Sequence, residues 1–266
     1  MNAGAAGDGG PVLDCQGVER RFGGLVALAG VDLQIQRGEI FGLVGPNGSG
    51  KTTMTNAITG FYPPQKGRIL LQGRDITGLA PHVVARLGVA RTFQNLALFN
   101  GMSVLDNILL GRHVHMRPSV LRTAFYTLLA RQDEIAHRKV VEEVIDFLQL
   151  QGVRDELVDV IPIGLKKRVE LARALVAEPS FLILDEPMAG MNQEEKEYMA
   201  RFVLDARAER KVTVLLIEHH MDIITGICDR MLVLSYGEVI GTGIPREVVR
   251  DPRVIKAYLG GAHAAA

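Results

Sequence analysis

Residues 45–53 read GPNGSGKTT. Glycines at this spacing let a backbone curl so that successive N–H groups point inward, which is the shape that holds phosphate oxygens. Gly45, Pro46, Asn47, Gly48, Ser49, Gly50, Lys51, Thr52 and Thr53 therefore form a candidate nucleotide-binding stretch. Lys51 has the reach for β- and γ-phosphates, and the Thr52 hydroxyl is a ligand type that suits Mg²⁺. A second centre lies at Asp185 and Glu186, directly after the apolar run FLIL. One carboxylate there holds the water shell of a metal, and its neighbour orients or deprotonates a water. Asp185 is assigned to the metal and Glu186 to the attacking water. His219, after VTVLLIE, is placed to reach the γ-phosphate or that water. His220 would point to the other side of an extended chain and is given no role.

This chemistry needs particular elements beneath it. The pattern G-x-x-x-x-G-K-[ST] binds nucleotide when a strand precedes it and a helix follows. EIFGLVG (residues 39–45) reads as a short buried strand and TTMTNAIT as a helix. FLILDE (181–186) and VTVLLIEH (212–219) read as two more strands, and RMLVLSYGEVIGTG (230–243) as a hairpin turning at Tyr236-Gly237. HRKVVEEVIDFLQL (137–150) places Val140, Val144 and Leu148 on one helical face, with Val141 and Ile145 beside them. Apolar strands alternating with helices predict an α/β fold with a mostly parallel sheet. Residues 12–39 read instead as two or three antiparallel strands, and residues 112–136 as helical without a clear core pattern.

Composition excludes several classes. The 266 residues carry 30 basic and 30 acidic side chains, so no general attraction to nucleic acid or anionic membrane is expected. No apolar run approaches the ~18 residues of a membrane helix, and no secretory signal opens the chain. Cys15 and Cys228 read as two reduced thiols. Residues 1–10 and 260–266, rich in Gly and Ala, read as disordered tails.

The motifs occur in a telling order: phosphate loop, Gln94 in RTFQN, a helix-start motif, LILDEP, AGMN, then IEHHM. In this the chain resembles the ATP-binding cassette (ABC) ATPases. Through RFGGLVAL, ITGFYPPQKGRILLQGRDITGL, RTFQNLALF and IKAYLG it is similar to the LivG-type subunits of branched-chain or hydrophobic amino-acid importers. The resemblance implies a P-loop NTPase cassette over residues 11–259. It would have a RecA-like parallel core, an N-terminal antiparallel β subdomain and a helical subdomain near residues 95–178. It implies ATP and Mg²⁺ as ligands, Gln94 on metal and water, Phe22 stacked on adenine and His219 as the switch histidine. It also implies a second ATPase subunit of LivF type, two membrane-spanning permease subunits, indirect contact with a substrate-binding protein, and a peripheral place on the cytoplasmic face of the inner membrane. The alternatives are the ATPase of a lipid exporter and a soluble ABC ATPase without a transporter. A GTPase would need Asn-Lys-x-Asp and a kinase His-Arg-Asp; neither is present.

The helix-start motif departs from the family's usual Leu-Ser-Gly-Gly-Gln. Here Pro162, Ile163, Gly164 and Leu165 follow Ile161, so the Ser hydroxyl is missing. In the family this turn faces the ATP held by the partner subunit. Losing one hydrogen bond to a charged group weakens an interaction by ~1.5–3 kcal/mol. An asymmetric pair follows, in which the partner's ATP meets Pro162. Lys166, Lys167 and Arg168 are expected on a solvated face. Asn192 stands where many cassettes have Asp, and residues 95–111 are expected to offer a groove to a membrane subunit.

Overall fold

The computed structural model describes residues 10–92, 97–114 and 128–261. Strands β3 (Ile40–Val44), β7 (Phe181–Asp185) and β8 (Thr213–Ile217) are buried at every position. Strands this short and apolar throughout are stable only where both sheet faces are covered, as in a parallel sheet. They do pair in parallel: β3 lies between β8 and β9 (Arg230–Ser235), and β7 lies beside β8. With β6 (Val89–Arg91) and β10 (Glu238–Gly243) the order is β10-β9-β3-β8-β7-β6. The loop after β3, the carboxylates after β7 and the histidine after β8 thus leave the same end of three adjacent strands. Ligands collect at that carboxyl end in open α/β sheets.

The chain divides into two compact units. The first comprises Met1–Val89, Ser180–Glu186 and Val203–Ala266, and the second Ala90–Pro179 and Pro187–Phe202. The first also carries a four-stranded sheet in the order β2-β1-β4-β5, formed by Leu25–Ile35, Leu13–Phe22, Lys66–Leu71 and Arg74–Asp75. Its β1–β2, β1–β4 and β4–β5 pairs are antiparallel, as the sequence suggested for residues 12–39. Leu13, Leu28, Ile35 and Ile69 from this sheet share one buried cluster with Phe41, Met54, Phe181 and Leu215. The β9–β10 hairpin turns at Tyr236 (φ 48°) and Gly237 (φ 81°), the double left-handed geometry that matches strand twist. The last helix, Pro252–Gly261, runs past Gly260, where a tail was expected.

In the second unit the long helix Leu128–Phe147 buries Val141, Val144 and Ile145, and Leu148 just beyond it, while Val140 is only half-buried. The apolar face is thus turned slightly from the expected one. Arg112, which showed no core pattern in the sequence, is buried. Its guanidinium donates to the Val176 carbonyl (2.6 Å) and the Glu178 carboxylate (2.5 Å), and its Nε to His137 Nδ1 (3.2 Å). Residues 115–127, within the stretch read as helical, lie outside the described residues.

Candidate active site

The phosphate-type loop follows β3 and runs into the helix Lys51–Ile58, as its motif requires. Gly45 sits at φ 154°, and a Cβ there would run into the Leu234 carbonyl and Ser49 Oγ. Only glycine fits that approach. Lys51, 7% exposed, donates from Nζ to the carbonyls of Gly45 (2.7 Å) and Pro46 (3.0 Å). Burial lowers its ammonium pKa; the charges of Glu186 and Asp185 act against that. The first N–H groups of the Lys51–Ile58 helix have no partner within the helix, so they and the lysine make an anion-binding end. Ser49 Oγ is buried with no partner among the described residues, a donor left over at the base of the loop.

The loop is braced from behind. The Gly237 N–H donates to the Ser49 carbonyl (2.9 Å), and the Ala29 N–H to the Gly237 carbonyl (2.9 Å). The Tyr258 hydroxyl is buried, and burial pushes its pKa up to about 12, with the Gly45 amide facing it and acting the other way. Among the described residues no group meets hydrogen-bonding geometry at that hydroxyl.

Asp185 ends β7 and is 3% exposed. Glu186 follows at φ 50°, a left-handed conformation that costs a non-glycine residue about 1–3 kcal/mol. Its N–H donates to the Ile217 carbonyl (2.9 Å), and its Oε1 lies 2.6 Å from His219 Nε2. The strained backbone thus aims Glu186 at the histidine that leaves β8. His220 turns away to Glu218 Oε2 (3.4 Å). The first unit therefore brings together the 45–53 loop, Asp185, Glu186 and His219. Gln94 lies outside the described residues.

Phe22 closes β1 at a hairpin tip and is 40% exposed. It is not a free platform. Its ring meets Tyr62 edge to face (5.6 Å between centroids, 81°), and the Arg20 guanidinium lies 4.9 Å from its centroid and 5.8 Å from that of Tyr62. Arg20 and Tyr62 were missed in the sequence. The signals were Arg-x-Phe, which puts two side chains on one strand face, and GFYPP, an aromatic pair just past a helix.

The family description "ABC transporter" matches residues 28–189, and "Branched-chain amino acid ATP-binding cassette transporter" matches residues 238–264. The chain belongs to the ABC transporter family. It is 38% identical over 250 residues to the branched-chain amino acid transport ATP-binding protein BraF of Pseudomonas aeruginosa, covering 94% of this chain and 98% of that one. It is 37% identical over 253 residues to LivG of Salmonella typhimurium, with the same coverage. Among solved structures, an ATP-binding cassette of an ABC transporter in its ADP conformation matches with TM-score 0.82 and 31% identity, over 94% of this chain and 99% of that one. A nucleotide-free cassette matches with TM-score 0.81 and 31% identity, over 93% and 98%. As an ABC cassette this chain binds nucleotide and is an ATPase.

The turn that the sequence reading matched to the family's signature, residues 162–165, lies in the second unit and opens the helix Ile163–Leu175. Pro162 is the N-cap itself (φ −58°, ψ 158°); its carbonyl accepts from Lys166, but no side chain caps the helix. Ile163, Gly164 and Leu165 then present N–H groups without helical partners. A Cβ on Gly164 would collide with the Glu195 carboxylate. Glu195 accepts from the Asn192 N–H (2.9 Å) while Asn192 Oδ1 accepts from the Glu195 N–H (2.9 Å), a reciprocal cap of the helix Gln193–Arg210. The expected solvated basic face is corrected. Lys167 is buried against Glu170 (3.3 Å), because the helix turns it inward, and Arg168 lies over the rings of Tyr198 (5.6 Å) and Phe202 (5.3 Å).

Proposed function

We propose that this cassette is the ATP-hydrolysing subunit of an importer for branched-chain and other hydrophobic amino acids. The single observation that carries the catalytic reading is the 2.6 Å contact of His219 Nε2 with Glu186 Oε1, in the same unit as a loop that holds Lys51 on two carbonyls. Glu186 accepts a proton from the attacking water as its oxygen bonds to the γ-phosphorus and the bond to the bridging oxygen breaks, releasing ADP and phosphate. His219 holds that carboxylate in place. Lys51 exchanges its loop carbonyls for phosphate oxygens, and Ser49 Oγ, unpartnered here, gains an acceptor.

Among the described residues no cluster of three or more His, Cys, Asp or Glu stands ready for a metal. One buried carboxylate and one hydroxyl suit Mg²⁺, which takes one or two protein ligands beside phosphates and water. Asp185 and Thr52 would hold it, and it would neutralise phosphate charge. Gln94 joins metal and water on the resemblance alone. Phe22, with Arg20 and Tyr62, receives the adenine.

The relatives named as branched-chain transport proteins, and the matching C-terminal segment, support the cargo and two membrane-spanning permease subunits as partners. No described helix is long and apolar enough to cross a membrane. The relatives' role as transport ATP-binding proteins supports a peripheral place on the cytoplasmic face of the inner membrane. A second ATPase of LivF type closes over this one, with Pro162, Ile163, Gly164 and Leu165 facing the partner's ATP. The test is leucine uptake by vesicles carrying the complex. The Glu186→Gln form is expected to bind ATP and import nothing; import at the wild-type rate would overturn the assignment.

A further inference from the structure

The last helix, Pro252–Gly261, is placed by its own first turn. Asp251 caps it, with Oδ1 accepting the Arg253 N–H (2.8 Å), and Pro252 takes the first helical position, where an N–H would have no helical partner. Val254 is buried and fills a notch on β10, where a Cβ on Gly241 would lie 3.1 Å from Val248 and from Val254. A helix docked by one residue turns the residue four positions on toward the same side. That residue is Tyr258, and the Gly45 amide, at the start of the glycine loop, faces its hydroxyl.

Gly45 therefore meets the C-terminal part of the chain twice. The Leu234 carbonyl of β9 lies against its α-carbon, where a Cβ would collide with it. Two hydroxyls near this one glycine are buried and have no partner among the described residues. One is Tyr258; the other is Ser49 Oγ, which a Cβ on Gly45 would also strike. A buried hydroxyl left unpaired is unfavourable, so an arrangement that pairs it is favoured by the difference. Gly45 is held from its other side, since Lys51 Nζ takes its carbonyl (2.7 Å) and that of Pro46 (3.0 Å). The far end of the loop is fixed separately, by the Gly237 N–H on the Ser49 carbonyl (2.9 Å). The glycine is thus the point where the loop has room to adjust.

We propose that Tyr258 is a positioning residue for the nucleotide: as Lys51 turns from the Gly45 carbonyl to phosphate oxygens, the Gly45 amide closes onto the Tyr258 hydroxyl, and the C-terminal helix holds the loop in its ligand-bound shape. This rests on the nucleotide-loop reading above. The amide donates and the phenol oxygen accepts. A ligand gains affinity only from contacts that differ between two arrangements of the protein, and this bond is such a contact.

Tyr258→Phe removes the oxygen and keeps the ring. Two measurements on the full-length chain judge it: thermal unfolding without nucleotide, and the affinity for ADP with Mg²⁺ by calorimetry. The melting temperature is expected to stay or rise, because an unpaired hydroxyl is lost, while ADP binds about three- to tenfold more weakly. A residue that only packs the fold would show the reverse, a lower melting temperature at unchanged affinity. Unchanged affinity overturns the proposal. So does a lowered melting temperature, which would mean that the hydroxyl is already paired before nucleotide arrives. Independently of any variant, hydrogen exchange at the amides of residues 255–258 in the wild-type chain is expected to slow when ADP binds, although these residues lie outside the loop. Exchange that ADP leaves unaltered overturns the link to the helix. A wild-type chain whose Lys51→Ala form binds ADP as tightly would sink the nucleotide-loop reading itself, whereas tight binding that depends on Lys51 but not on Tyr258 sinks this inference alone.

Discussion

The glycine loop at 45–53 and the proposed signature turn at 162–165 are both helix beginnings, and they are furnished unequally. At the loop, glycine packing, a buried lysine and an unpartnered serine hydroxyl aim donors at one place, with a strained Glu186 and His219 in the same unit. At the signature turn the N-cap is a proline with no side-chain cap, a carboxylate presses on Gly164, and two of the three nearby basic residues are spent on Glu170 and on aromatic rings. The lesson is that sequence charge near a helix start does not measure its pull on an anion. Burial and pairing decide how much is left.

The comparison breaks most easily at its strong side. Glu186→Gln should lower hydrolysis by about 10²–10⁴ while nucleotide affinity holds, measured by phosphate release and calorimetry. A variant retaining a tenth of the wild-type rate would show that the loop side is not the complete half. Lys51→Ala should weaken ATP binding about ten- to hundredfold, the value of a charge-assisted bond of about 1.5–3 kcal/mol. On the weak side, Pro162→Ser should raise turnover of the assembled complex by up to about tenfold, since it restores both a cap and a phosphate donor. No change with assembly intact would mean that the turn does not limit the reaction.

Gly164→Ala should cost about 1 kcal/mol of stability by displacing the Glu195 cap, and less when Glu195→Ala is already present. A cost unchanged in that background would place the strain elsewhere. The smallest effect concerns pH. Burial raises the Glu170 pKa above 4.5, against Lys167, the Ala97 amide and Arg173. The folded state therefore holds that proton to higher pH than the unfolded chain, so stability falls as pH climbs from 4.5 through the folded value. Lys167→Met with Glu170→Gln should flatten that slope in denaturant titrations.

Much of the loop side was legible because its chemistry is local. Glycine spacing, a lysine and a following helix lie within nine consecutive residues, 45–53. The strand ends were legible too, since fully apolar runs stopping at Asp185 or at Glu218-His219 have one reading in a parallel sheet. The signature turn was legible as a departure, but not in its consequence. Nothing in KKR says that Lys167 turns inward, because a helix face becomes core or surface only when other elements pack on it. Arg112 and Asn107 were silent for the same reason: each is polar, fully used, and recognisable only from the carbonyls and carboxylates around it.

By itself the sequence determined the chemistry available: which residue types suit a phosphate, which carboxylate stands at which strand end, and that position 162 carries no hydroxyl. Tertiary structure alone decided who meets whom. Strand order β3-β8-β7 puts residues 45, 219 and 186 together, because parallel pairing places the ends of strands distant in sequence on one edge. It also decided which charges remain available to a ligand, since an ion pair is made or broken by geometry that no spacing along the chain encodes.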